Sequence, residues 1–171
     1  MRTIEINLYQ FNELSPEAQQ KAIDSLQTIN VEHDWWQFTY DDADSIGVEI
    51  NGFGIDWIRK GQQLFASVII DNPKKAAKLI IANHGKDCET YKIAESFLAE
   101  GEKLAQTLKG EENEYELEEK TEELEEQFIE DISRAYATIL SNEYGYLTST
   151  EAIIEIILAN EYEFTEKGEL H

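Results

Sequence analysis

The sequence predicts an α+β fold, a small and mostly antiparallel sheet of about three strands packed with helices and followed by a helical C-terminal half. Three observations carry this. Short stretches of strand character occur at 3–8, 48–50 and 63–70, separated by segments whose apolar residues recur every three to four positions. The strands do not alternate regularly with helices, and no glycine-rich loop follows any of them, which excludes a doubly wound dinucleotide fold and the usual phosphate cradles. Beyond 110 the pattern is helical almost to the end. The division expected is 1–110 as an α+β core and 111–171 as an acidic helical segment docked on the same domain.

Each element has a local reason. Ile4, Ile6 and Leu8 alternate with Thr3, Glu5 and Asn7, as in a half-buried strand. Ser15-Pro16-Glu17 starts a helix, the serine capping and the proline occupying the first helical position, where its missing N–H costs nothing. Its stripe is Ala18, Ala22, Leu26 and Ile29, and Leu14 is placed to staple against Gln19 or Ile23. A second helix is expected from about Asp34 to Ile46, ending at Gly47. Val48–Ile50 and Gln63–Ile70 read as strands, with Asn51-Gly52 and Lys60-Gly61 supplying turns. Leu64, Ala66, Val68 and Ile70 share one face of the second strand. Phe65 and Ile69 share the other, so both faces are expected to be covered.

Asn72-Pro73 repeats the cap-and-proline start for a helix to about His84-Gly85. Asp87 is expected to cap the next, whose stripe is Tyr91, Ala94, Leu98, Gly101, Ala105 and Leu108. Lys109-Gly110 is the expected hinge. A long helix over about Glu112–Glu143 follows, striped by Leu124, Phe128, Ile132, Ala135 and Ile139. Thr148-Ser-Thr-Glu151 reads as a capping box for a last helix through Ile153, Ile154, Ile157 and Leu158, and the tail from Tyr162 as a small edge strand or a disordered end.

Charge narrows the function. The chain of 171 residues carries 36 Asp+Glu against 14 Lys+Arg, a net of −22. Phosphates would be repelled, so direct nucleic-acid binding and docking to an anionic membrane are not expected. With 42% apolar residues it is nonetheless no disordered acidic polymer. The N-terminus has no signal-peptide core and no apolar run nears ~18 residues, so a soluble cytoplasmic protein is expected. One cysteine, Cys88, allows neither an internal disulfide nor a cysteine-based zinc site.

The charge is also unevenly placed. Residues 1–110 have a net of −6 and residues 111–171 a net of −16. The stretch 111–131 holds 12 carboxylates and one Lys120, so half of the net charge lies in 21 residues. On a helix, i and i+4 carboxylates stand about 6 Å apart, near the spacing of successive phosphates along a nucleic-acid strand. Like-charge pairs at that spacing each cost a few tenths of a kcal/mol, which a basic partner would offset. Glu118, Glu119, Glu122, Glu123, Glu125 and Glu126 are the candidate partner-binding residues. The plainer reading is a solvated face, or an internal contact with Arg59, Lys60, Lys74, Lys75 and Lys78.

Two other constellations bear on chemistry. His33-Asp34-Trp35-Trp36, then Tyr40-Asp41-Asp42-Ala43-Asp44, could hold a divalent cation through Asp41, Asp42, Asp44 and His33. The order of an EF-hand loop is missing, and the plainer reading makes Trp35, Trp36 and Phe38 core and the aspartates a solvated face. His84 and Cys88 are four apart, as metal ligands or a nucleophile–base pair would be, but Gly85 and the expected Asp87 cap break the helix between them. No hydrolase, zinc-protease or phosphate-loop motif is present. Neither catalysis nor a metal or other cofactor is expected.

Tyr9-Gln-Phe11-Asn-Glu13-Leu14-Ser15-Pro-Glu17-Ala18, followed by Asp34-Trp35-Trp36, resembles a recurrent set of uncharacterised accessory proteins of phages and mobile elements. These share a Tyr-x-Phe-x-Glu-Leu-Ser-x-Glu-Ala opening and an Asp/Glu-Trp-Trp step. The ending from Thr150-Glu151-Ala152 to Phe164-Thr165 is similar to members of that set as well. The resemblance implies a setting, an infected or lysogenic bacterium, and some members carry antitoxin-like labels; it transfers no functional residue. Three readings result. One is a non-catalytic inhibitor, anti-CRISPR-like, that mimics nucleic acid in the basic channel of a bacterial defence nuclease. Another is an antitoxin or regulatory module masking a basic protein. The last is an enzyme built on Asp41–Asp44.

Overall fold

The computed structural model describes residues 7–58 and 61–171, and of 55–58, 61–64 and 111 the backbone alone. Among the described residues the order is β1 (Tyr9–Gln10), α1 (Pro16–Ser25), α2 (Gln37–Ser45), β2 (Glu49–Ile58), β3 (Gly61–Ile69), α3 (Pro73–Asn83), α4 (Glu89–Thr107), α5 (Glu114–Leu147), α6 (Thr150–Ala159) and β4 (Glu163–Phe164). The class is α+β, as the sequence predicts. The strands differ: there are four, in two separate antiparallel pairs, β1–β4 and β2–β3, where one sheet of about three was expected. The chain forms two compact units, Met1–Trp35 with Asn142–His171, and Trp36–Ser141. The charge step at 110 falls inside the second.

The first unit is built on caps and one small core. Ser15 Oγ accepts from the Ala18 amide at 3.3 Å, with Pro16 opening α1 as its fixed φ favours. Ala18, Ala22 and Ile23 then meet Phe11, Leu14, Leu26, Ile153, Ile157 and Phe164 in one cluster. The rings of Phe11 and Phe164 lie edge to face, 6.4 Å apart, beside the pairing of Tyr9 with Phe164. The expected strand over 3–8 lies mostly outside the described residues; β1 begins at Tyr9 and passes at once into a 3-10 turn, Phe11–Glu13.

Two helix ends here are instructive. Ser149, not Thr148, caps α6, accepting from Ala152 N, because the Thr148 hydroxyl donates back to Tyr144 O and finishes α5. At the other end of α6, Tyr162 N bonds Ile157 O and Glu161 N bonds Leu158 O, a Schellman motif that places Glu161 at φ +51°. The same motif closes α2, with Val48 N on Ala43 O and Gly47 N on Asp44 O, but there the left-handed position is a glycine at φ +76°.

In the second unit α2 starts at Gln37, later than expected, and Asn51-Gly52 is no turn. The strand runs on through it with a register shift between Ile50 and Gly52, pairing from Glu49 opposite Ile69 to Ile58 opposite Gly61. The expected turn at Lys60-Gly61 lies partly outside the described residues. Asn72 Oδ1 caps α3 through Lys75 N at 2.9 Å. Cys88, not Asp87, is the residue before α4, and its side chain makes no cap bond. The α4 stripe is Tyr91, Ala94, Phe97, Leu98, Gly101 and Leu104, while the expected Ala105 is exposed. Ala43, Ile46, Val48, Ile50, Ile70, Ile80, Phe97, Phe128, Ile132 and Tyr136 are buried in the core of this unit.

Candidate functional site: the acidic face of the long helix

The site rests on α5, and α5 is held by its apolar side. Phe128, Ile132, Ala135, Tyr136 and Leu140 are buried along it. Ile139, expected in the stripe, is instead 41% exposed. Phe128 stacks on Phe97 of α4 with ring centroids 4.4 Å apart and planes inclined by 26°. Leu124 packs over Gly101 of α4, 3.9 Å from where a side-chain carbon would stand there, which is ordinary van der Waals distance. Ser133 Oγ donates to the Ala66 carbonyl at 2.6 Å, tying the helix to β3. These contacts hold the helix while its opposite side carries the charge.

Glu118, Glu119, Glu122, Glu123 and Glu126 are exposed, and Glu125 is half-buried toward the core side. By helical geometry Glu119, Glu123, Glu126 and Glu130 follow one another along the outermost line, at steps of four, three and four, and Glu118 and Glu122 run beside them. Among the described residues the cations that answer 111–131 are two. Lys120 pairs with Glu116, whose hydrogen bond holds the ammonium above its ordinary pKa. Arg134 reaches Asp131 at 2.6 Å and Glu130 at 3.7 Å. No ion pair within the described residues reaches the six candidate glutamates, nor joins Lys74, Lys75 or Lys78 to this helix. Arg59 and Lys60 lie outside the described residues. The glutamates of the first turns gain from the helix dipole, which offsets part of their mutual repulsion.

The aspartate cluster is dispersed. Asp41 accepts from Gln37 Nε2 at 2.7 Å along α2, and Asp44 is exposed. Asp42 instead turns inward, its Oδ2 accepting from the Tyr136 hydroxyl at 3.0 Å and its Oδ1 lying 3.5 Å from His84 Nε2. His84 Nδ1 shares a hydrogen bond with Thr90 Oγ1 at 2.7 Å. His33 is exposed and belongs to the other unit. Cys88 is exposed, and His84 turns its ring to Thr90 and Asp42. Among the described residues no three His, Cys, Asp or Glu side chains are placed to hold a metal ion. The order Asp42–His84–Thr90 is that of a catalytic relay, but the Thr90 side chain is buried, so its hydroxyl faces no open pocket. The chain of contacts is a strut through α2, α4 and α5. No spacing in the sequence announces it, since Asp42 and Tyr136 are 94 positions apart.

The tryptophan step divides. Trp35 and Trp36 are half-buried, Trp35 against Tyr144 at 5.7 Å and Trp36 against Phe53 at 5.4 Å. Phe38, expected in the core with them, is 88% exposed, because at about 100° per residue it stands about 140° round α2 from the buried Ala43. Among the described residues no helix is long and apolar enough to cross a membrane. Compared with protein families, with curated proteins and with solved structures, the chain matches none.

Proposed function

We propose that this protein is a non-catalytic inhibitor that lays the outer face of α5 on the basic, nucleic-acid-binding surface of another protein and competes there with nucleic acid. A bacterial defence nuclease is the kind of target that suits it, in the phage or mobile-element setting its opening motif suggests. The observation that carries the reading is the line Glu119, Glu123, Glu126 and Glu130 with its neighbours Glu118 and Glu122, exposed on a helix pinned by Phe128, Ser133 and Tyr136. A pinned row loses little freedom on binding, so more of its electrostatic attraction is kept as affinity. Attraction between a row of carboxylates and a basic channel also speeds encounter and makes it sensitive to salt.

The test is affinity capture from the bacterial host with the native chain as bait, elution by a salt gradient, and mass spectrometry of the eluate. A nucleic-acid-binding protein that elutes with salt, and that added nucleic acid displaces from the bait, supports the reading. A basic toxin neutralised by the bait, whose activity involves no nucleic acid, would move the protein to the antitoxin class. Capture that is indifferent to salt and to nucleic acid would refute the role of α5.

A further inference from the structure

Among the described residues the β2–β3 pair exposes apolar side chains on the face turned away from the core. Along β3 burial alternates, with Ala66, Val68 and Ile70 turned toward the core and Phe65, Ser67 and Ile69 turned outward. The sequence led to the expectation that Phe65 and Ile69 would be covered as well; they are 53% and 45% exposed. Opposite them stand Gly54 and Glu49. The Phe65 ring lies on Gly54 so closely that a side-chain carbon there would sit 2.4 Å from it. The far end of the ring thus occupies the space that a side chain at position 54 would take.

Carboxylates border this centre at the foot of the hairpin, where Asp44, Glu49 and Asp71 line a cleft of about 200 Å³ with Ile69. No lysine or arginine lines it. Among the described residues Asp44, Glu49 and Asp71 have no ion pair. An apolar centre within a polar rim is the anatomy of a protein interface.

We propose that the outer face of the β2–β3 hairpin is a docking surface for a basic protein segment that sets an apolar side chain on Phe65 and Ile69 and lysine or arginine against the flanking carboxylates. The proposal takes from the preceding reading only the basic character of the partner. A second copy of this chain suits the face poorly, since two molecules of net −22 repel.

The test uses the full chain and two synthetic peptides: an octapeptide alternating arginine with phenylalanine or valine, and its counterpart with glycine at the apolar positions. Binding is followed by backbone amide chemical shifts and by titration at physiological salt. We expect shifts at Glu49, Ser67, Ile69 and Asp71, and an affinity for the apolar peptide at least tenfold above that for the glycine peptide. Ile69→Ser should remove most of that preference, and Asp44→Asn/Glu49→Gln/Asp71→Asn, which alters only exposed charges, should weaken binding at least fivefold. Replacing the six glutamates of α5 by glutamine should lower both affinities and keep the preference. Equal affinities for the two peptides, shifts confined to α5, or an unchanged affinity in the triple variant would overturn the proposal. So would self-association of the wild-type chain that Ile69→Ser abolishes. If the six-glutamine variant loses nothing while Ile69→Ser loses the preference, the α5 reading fails and this one stands; the opposite pattern leaves α5 and removes the hairpin.

Discussion

The Tyr136 hydroxyl donates to Asp42 at 3.0 Å, so the middle of α5 is fastened to α2 by a bond whose donor is buried and whose acceptor is half in water. Burial first, then the charge and hydrogen bond of Asp42, push the phenol well above its ordinary pKa. In the folded chain it stays protonated where the unfolded chain ionises. Its contribution is therefore complete below about pH 10 and is lost as pH rises above that value. Tyr136→Phe should lower stability by about 1 kcal/mol at neutral pH and flatten the alkaline loss. Urea midpoints at pH 7 and above pH 10 measure both. An equally steep alkaline loss in the variant would assign it to other tyrosines.

Replacing Glu118, Glu119, Glu122, Glu123, Glu125 and Glu126 with glutamine keeps size and nearly keeps helix propensity. The variant should fold and melt at the same temperature or a few degrees higher at low salt, because relieved like-charge pairs are each worth a few tenths of a kcal/mol. Its affinity for a basic partner should fall and lose its steep salt dependence. A melting temperature well below that of the wild type would place one of these carboxylates in an unrecognised structural contact.

Gly47 and Glu161 occupy the same position of the same helix-ending motif. The left-handed conformation costs an L-residue roughly 1–2 kcal/mol relative to glycine. Glu161→Gly should therefore stabilise the chain by about 1 kcal/mol, and Gly47→Ala should destabilise it by about as much. Nothing stands within 4 Å of a side-chain carbon built on Gly47, so the Gly47→Ala change reads backbone strain without a clash. Denaturant midpoints of the two variants check the pair.

Aromatic residues should separate by burial. Phe128→Ala, with 2% of the residue exposed and its ring stacked on Phe97, should cost about 3–5 kcal/mol. Phe38→Ala should change stability by less than about 0.5 kcal/mol. A large loss for Phe38→Ala would mean that its ring is covered in solution.

How far the sequence could be read follows from where each signal acts. Ser15-Pro16 and Asn72-Pro73 announce their helices because a cap and a proline act within four residues, and both hydroxyl and amide are found on the expected amides. The inner stripe of α5 is legible from Leu124 to Ala135 because 3.6-residue spacing is enough to place it. Asn51-Gly52 misleads, because a bulge and a turn use the same residues and only the pairing of Ile50 with Val68 and of Gly52 with Ser67 distinguishes them. Phe38 misleads because an aromatic beside two tryptophans looks like core until the rotation of α2 is known. The exposure of the acidic row is legible; the Asp42–Tyr136 hydrogen bond, which braces the helix carrying it, joins distant positions and leaves no trace in spacing.

Residues 36–141 form one compact unit from a contiguous stretch, whereas the other unit needs Met1–Trp35 and Asn142–His171 together. During synthesis the contiguous stretch can close as it emerges. The Ser15-capped helix must wait for Ile153, Ile157 and Phe164, on the order of ten seconds later at typical ribosomal speed. Closing a flexible loop over 36–141 would cost about 4 kcal/mol of chain entropy, and prior collapse of that stretch removes most of it. Refolding should accordingly show two phases, the slower reported by the Phe11–Phe164 cluster and lengthened by any change that delays the core around Ile132.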